Sequence, residues 1–257
     1  ALRNGGYDVF IQIMQGMCRD ADGLRRQTEM WRKEQAPKAE GWLGGTYGIT
    51  DDNRFIGVVR FESKEAAARN SVRPEQGAWW AETEKCFDGD VTFHDCDEAM
   101  MFLDGGADDA GFVQVMQGRV EDPERFRRFM ELPMDMLQQA RPEIIGGSIA
   151  IEPDGRFTET IAFTSEEAAR KGESQELPED FRKSFEEEMA QMHDVTYLDP
   201  RHPWFSRKPC PPAVTTHHAT DRPPLGPLSI PVSLGPPPPP SATRVHRQPP
   251  PPPPPRA

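Results

Sequence analysis

The sequence predicts an α+β fold built twice in tandem, followed by a segment that does not fold. Three observations predict it. Phe10-Ile-Gln-Ile-Met-Gln-Gly16 recurs as Phe112-Val-Gln-Val-Met-Gln-Gly118, an offset of 102 residues that also aligns Arg25-Arg26 with Arg127-Arg128 and Gly44-Gly45 with Gly146-Gly147. Within each copy the hydrophobic period switches between the strand and helix values in the order β-α-β-β-α-β. After residue 200 the composition changes abruptly, and residues 201–257 hold 20 of the 28 prolines. A register kept over some eighty residues marks a duplication, and a repeat fixes the architecture before any other feature does.

Each copy can be read in order. Strand one is the apolar run at 9–15 or 112–117. An acidic N-cap follows, Asp22 or Asp122, the second with Pro123 at the favoured first helical position. The helix runs to about Gln35 or Ala140, and Pro133 is expected to kink it in copy two. Strands 42–49 and 54–61 (copy two: 144–151 and 155–163) are joined by Asp51-Asp52-Asn53 or Glu152-Pro153-Asp154-Gly155, which have the composition of hairpin turns. Ser63 and Ser165 cap a short Glu/Ala-rich helix. A second helical piece is expected over 75–87 or 178–192, then a last strand over 91–95 or 195–199. Val91-Thr-Phe93 matches Val195-Thr-Tyr197 at offset 104, so copy two has gained two residues. The order is that of a ferredoxin-like unit, in which both helices cover one sheet face and leave the other bare. The expected boundaries are 7–104 for the first unit, 110–200 for the second and 201–257 for a disordered proline-rich tail. Low hydrophobicity and polyproline runs at 236–240 and 249–255 cannot offset the entropy of ordering that tail.

Charge narrows the partners. Residues 1–200 carry 23 basic and 41 acidic residues, whereas the tail has seven basic residues and Asp221 alone as its acid. A body this acidic lacks the basic stripe that nucleic acid or an anionic membrane surface would require. No apolar run approaches the ~20 residues of a membrane span. Cys18, Cys86, Cys96 and Cys210 form no C-x-x-C pair and have no histidine at ligand spacing, which reads as scattered thiols in a cytoplasmic protein without a metal.

The apolar strand ending in Gln-Gly, the Gly-Gly of strand two and the Phe-x-Ser-x-Glu-Ala-Ala after strand three (Phe61–Ala67 and Phe163–Ala169) together resemble the dimeric α+β-barrel superfamily, the group of antibiotic-biosynthesis monooxygenase-like domains. The resemblance covers about 9–199. It implies two ferredoxin-like units packed sheet to sheet, here as an intrachain barrel in a monomeric pseudo-dimer that could assemble further. It also implies cofactor-independent, monooxygenase-like chemistry on a small aromatic molecule, with no cofactor required.

Alternation along the strands assigns faces. Plain aliphatics suit a helix-covered face, so Ile11, Ile13, Val113 and Val115 are expected beneath the helices and Phe10, Gln12, Met14, Phe112, Gln114 and Met116 in the barrel lumen. Strand three should direct Ile56, Val58 and Arg60 (Thr158, Thr160 and Ala162) to the lumen, joined by Trp42, Thr46, Ile144 and Ser148 from strand two and by His94. Gln12 and Gln114 are expected to satisfy each other across the interface, as buried amides need partners. The ligand-binding set is therefore Gln12, Met14, Thr46, Val58, Gln114, Met116, Ser148 and Thr160, with His94 and Arg60 as the candidate catalytic groups. Trp79-Trp80 belongs to the core or to one end of the cavity. No P-loop, nucleophile elbow, zincin helix or dinucleotide fingerprint is present. Three readings follow: an enzyme, a binding protein using the same cavity, and a structural module whose barrel is filled. The open or filled state of the lumen discriminates among them.

Overall fold

The computed structural model describes residues 6–105, 110–130, 141–174, 186–187 and 190–207. The kink expected at Pro133 and most of the helical piece expected over 178–192 lie outside them. Copy one consists of β1 (Gly6–Cys18), α1 (Ala21–Glu34), β2 (Trp42–Ile49), β3 (Arg54–Phe61), α2 (Lys64–Ser71), α3 (Pro74–Thr83) and β4 (Phe87–Phe102). Copy two contributes β5 (Phe112–Val120), α4 (Pro123–Met130), β6 (Ile144–Ile151), β7 (Arg156–Phe163), α5 (Glu166–Glu173) and β8 (Met192–Leu198). One further strand follows, β9 (Arg201–Arg207).

Local chemistry sets most boundaries. Ser63 and Ser165 accept from the amides of Ala66 and Ala168 at 3.2 and 3.1 Å, which starts α2 and α5. Asp122 accepts from Arg125 N at 2.9 Å ahead of Pro123. In copy one the cap is Asp20 rather than Asp22, accepting from Gly23 N at 2.8 Å. Its carboxylate lies close over Gly23, so a side chain there would require the Asp20 carboxylate to shift.

The nine described strands form one sheet in the order β8-β5-β7-β6-β4-β1-β3-β2-β9, and every pairing is antiparallel. Its two ends, β8 and β9, are consecutive segments joined through Asp199 and Pro200, so the sheet closes on itself. β4 runs 16 residues, well past the expected 91–95. It pairs with β1 along its length, and its second half also pairs with copy two, Met100 lying opposite Ile149 of β6. β9 makes the reciprocal crossing and pairs Trp204 with Tyr47 of β2. Trp204 and Tyr47 stand at the repeat positions of Met100 and Ile149, so each copy lends the other an arm. The expectation of a structureless tail from residue 201 fails for 201–207: Trp204 and Phe205 supply the apolar burial that seats β9, whereas residues 208–257 lie outside the described set.

The barrel interior is packed. Val9, Ile11, Ile13, Ile56, Val58, Cys96, Met101, Val113, Val115 and Leu198 form one buried cluster, with Ile11 and Cys96 fully inaccessible. Strand one therefore faces opposite to expectation. Ile11, Ile13, Val113 and Val115 point into the barrel, while Phe10 and Met14 pack with Leu24 and Trp31 of α1 and Phe112 and Met116 pack with Phe126 of α4. Gln12 lies opposite Val59, and Gln114 opposite Ile161, on the helix side as well. Strand three obeys the expectation, with Phe55, Val59 and Phe61 under the helices and Ile56 and Val58 in the barrel. Trp42 and Ile144 were expected in the lumen, yet they lie on the helix side. A register shift between Trp42 and Gly44, repeated between Ile144 and Gly146, reverses the alternation there. The bulge glycines Gly44 and Gly146 have φ of 154° and 148°, which side-chain-bearing residues avoid.

Trp204 tests the seating of β9. Truncation of this partly buried side chain to Ala should lower stability in urea unfolding, by less than the about 3–5 kcal/mol of a fully buried Trp; a cost below about 1 kcal/mol would mean that the arm is not docked.

Candidate functional site

The helix side of copy one encloses a small aromatic cavity. On α1 the buried residues Leu24, Thr28 and Trp31 recur at helical spacing and face the sheet. The sheet presents Gln12 and Met14 from β1, Tyr47 from β2, Phe55, Val59 and Phe61 from β3 and Phe87 from β4. α3 closes the space with Gln76, Trp79, Trp80 and Thr83, and Asn70 ends α2 beside them. These residues surround a cavity of about 50 Å³.

Ring contacts join the walls. Trp31 meets Trp42 edge to face at 5.0 Å and Trp79 at 6.2 Å. Phe55 meets Phe87 edge to face at 5.4 Å. Trp80 packs on Phe93 at 5.1 Å, and Phe93 is 45% exposed, so this pair forms the outer wall. Two of the indoles are hydrogen-bonded: Trp31 Nε1 donates to Gln76 Oε1 at 2.6 Å and Trp79 Nε1 to Gln27 O at 2.8 Å. Copy two's arm braces the rear, since Trp204 stacks on Tyr47 at 5.9 Å and donates to Thr28 Oγ1 at 2.9 Å, with Arg25 4.4 Å over its ring. Trp79-Trp80 thus serves both expected purposes, core packing and cavity lining, but in the unit's own core and outside the barrel.

No lining side chain carries a charge. The only lining phenol, Tyr47, is fully buried, and loss of solvation pushes its pKa up to about 12 against a small opposing pull from Arg60. At repeat positions copy two differs: Ile149 replaces Tyr47 and Glu159 replaces Gly57.

The residues singled out in the sequence fall into three groups. Gln12 lines the aromatic cavity and donates to Asp95 Oδ1 at 2.8 Å; its counterpart Gln114 donates to Asp199 at 3.4 Å. The two do not meet. The amides that do pair across the units are Gln15 and Gln117, Nε2 to Oε1 at 3.0 Å, with Gln117 also donating to Thr158 at 2.9 Å. A second group, Thr46, Val58, Ser148, Thr160 and Arg60, faces the barrel as expected, but its polar members satisfy one another. Arg60 donates to Thr46 at 2.9 Å, and Ser148 and Thr160 share a hydroxyl hydrogen bond of 2.7 Å. The packed aliphatic cluster of the barrel occupies the space between them, so the expected ligand set does not converge on one site. His94, the third case, sits opposite Ile13 at a barrel mouth, its Nδ1 3.2 Å from Glu152 Oε2.

Among the described residues no group of three His, Cys, Asp or Glu could hold a metal ion, and no helix is long and apolar enough to cross a membrane. Cys18, Cys86 and Cys96 are free and buried, and desolvation raises each thiol's pKa, that of Cys96 to about 12.

No protein-family model matches the sequence, and no curated protein matches it. Solved structures do. A candidate monooxygenase from Lactobacillus acidophilus NCFM superposes with a TM-score of 0.59 at 15% identity, covering 76% of this chain and 93% of that one. A candidate monooxygenase from Fusobacterium nucleatum gives 0.59 at 10%, covering 78% and 94%, and an anthrone oxidase-like protein gives 0.53 at 10%, covering 81% and 98%. At these identities the likeness is one of fold: the chain shares with these structures an α+β fold, here built from tandem ferredoxin-like units.

Buried phenols and thiols predict alkaline lability. Unfolded, Cys96, Tyr47 and Tyr197 would ionise near their ordinary values of 9.0, 10.0 and 10.0, whereas in the fold each holds its proton to about 12. Their stabilising contribution is complete below pH 9 and is lost as pH rises towards 12. The urea midpoint should therefore fall steadily from pH 9 to 11; a flat profile would contradict the burial of these groups.

Proposed function

We propose that this chain is a monooxygenase-like enzyme that receives a small, flat, electron-rich aromatic molecule in the pocket of copy one rather than in the barrel. The observation that carries this reading is the partly enclosed, uncharged, aromatic-walled cavity of copy one, of the kind small organic ligands use. Flat rings suit its edge-to-face walls. Gln12, Asn70, Gln76 and Thr83 supply the sparse polar groups that would orient a substrate.

The cavity volume of about 50 Å³ is smaller than the roughly 150 Å³ space that accepts benzene. A ligand must therefore displace α3, the short helix that starts at Pro74 and is tied to α1 by the two indole hydrogen bonds. The half-exposed Trp80–Phe93 wall is the natural entrance. Oxygenation of an activated methylene suits a pocket without charge. Both C–H bonds of the methylene break, one oxygen atom of dioxygen becomes the carbonyl oxygen, and the other leaves as water with the two hydrogens. The substrate supplies every electron that dioxygen takes up, so no external reductant is needed. The pocket's part is to exclude water and hold the ring. A second reading, binding without chemistry, is favoured by the lack of any lining group able to take a proton near neutrality, since Tyr47 titrates at about 12.

Addition of 1,8-dihydroxyanthrone should quench tryptophan emission and consume oxygen, and Trp80→Ala should weaken binding about tenfold or more. Quenching without oxygen uptake would select the binding reading. Neither signal would reject the pocket as a ligand site.

A further inference from the structure

The aromatic pocket leaves His94 unused, and His94 borders a larger space. Between the two copies, at one mouth of the barrel, a recess of about 240 Å³ is lined by Ile13, Gln15, His94, Gln117, Arg119, Glu152 and their neighbours. That exceeds the roughly 150 Å³ that holds benzene. The floor is the Gln15–Gln117 amide pair with Ile13 and Phe157, and the hydroxyls of Thr158 and Thr196 stand beside it.

The wall holds an oriented base. Glu152 Oε2 lies 3.2 Å from His94 Nδ1 and accepts from Arg156 Nη2 at 3.0 Å. A carboxylate at Nδ1 keeps the neutral ring's proton there, which leaves Nε2 as a bare acceptor. No described residue partners Nε2. Nearby, Arg119 donates to Asp154 O and Oδ2 at 3.2 and 3.3 Å, and both side chains are about half exposed. Exposed pairs of this kind contribute only about 0–1 kcal/mol, so the guanidinium can turn to a stronger carboxylate partner.

An independent observation comes from the duplication. Gln15/Gln117, Thr92/Thr196, Asp90/Asp194 and Arg54/Arg156 are alike in both copies. Among the lining residues the copies differ at Ile13, His94, Arg119, Glu152 and Thr158, whose counterparts are Val115, Leu198, Met17, Thr50 and Ile56. Three of these five departures bring a charge or a base to the recess.

We propose that the recess is a second small-molecule site, for a small hydroxylated carboxylate of the 2-hydroxy acid type. The hydroxyl donates to His94 Nε2, the carboxylate takes the Arg119 guanidinium, and Glu152 is the positioning residue that holds the imidazole.

The test is titration of the full-length protein with L-malate, following the His94 ring nitrogens by long-range 1H–15N correlation. A saturable shift of the His94 Nε2 signal is expected at millimolar malate, with succinate, which lacks the hydroxyl, bound at least about tenfold more weakly. His94→Leu and Arg119→Met install the residue that the other copy already carries, so the fold should tolerate them. Each should weaken malate binding about tenfold or more, read from the amides of Gln117 and Gly118. Absence of a saturable shift at tens of millimolar malate, or equal binding of succinate by the unaltered protein, would overturn the proposal.

Discussion

A four-stranded sheet covered by helices on one face leaves a second apolar face bare, and covering that face is the constraint on which this molecule depends. Here each copy covers the other. Ile11, Ile13, Ile56 and Val58 of copy one meet Val113, Val115, Ala162 and Leu198 of copy two in a cluster almost without solvent contact. Full burial of each such aliphatic is worth about 1.5–3 kcal/mol, and leaving the face exposed would forfeit all of it. Two strands then fix the arrangement. β4 passes from its own unit into the partner sheet, and β9 returns the exchange, so both seams are closed by backbone hydrogen bonds as well as by side chains. Residues of both copies thus form one body.

That solution moves the free space outward. With the barrel filled, two cavities among the described residues lie outside it: under the helices of copy one and at a barrel mouth. The arm that closes the barrel also bears on the first of these, because Trp204 stacks on Tyr47 and Phe55 from behind the cavity. A strand from copy two therefore completes the wall of a pocket in copy one. Duplication within one chain permits this inequality. A true dimer must carry every substitution twice, whereas here Tyr47 can face a pocket while Ile149 fills the same place in the other half.

The duplication, the element order and the barrel were legible because a constant offset aligns glycines, caps and strands independently of which face is buried. The faces of strand one were not. When both sides of a sheet are covered, both sides are apolar, and alternation between Phe10-Met14 and Ile11-Ile13 no longer marks inside from outside. The partner strand carried the missing information, since Val58 and Arg60 were placed correctly and Ile13 pairs with Val58. The bulge after Trp42 was also written in the sequence as Gly44-Gly45, a glycine pair inside a strand. β9 was hidden by composition, as it opens a proline-rich stretch. Yet the offset of 104 that aligns Val91 with Val195 runs on to align Met100 with Trp204. The aromatic pocket announced itself only through Trp79-Trp80 and the spacing of Leu24, Thr28 and Trp31. His94 was marked for its chemistry, but its partner Glu152 lies 58 residues away and only the closed barrel brings them together.

Amide hydrogen exchange on the two exchanged arms tests the account most directly. If the copies form one barrel, the amides of residues 99–102 and 204–206 should be protected together with the β1–β3 ladder and open only with global unfolding. Exchange of either arm on its own, far faster than the β1–β3 ladder, would show that the arms are not docked and would contradict the intrachain barrel.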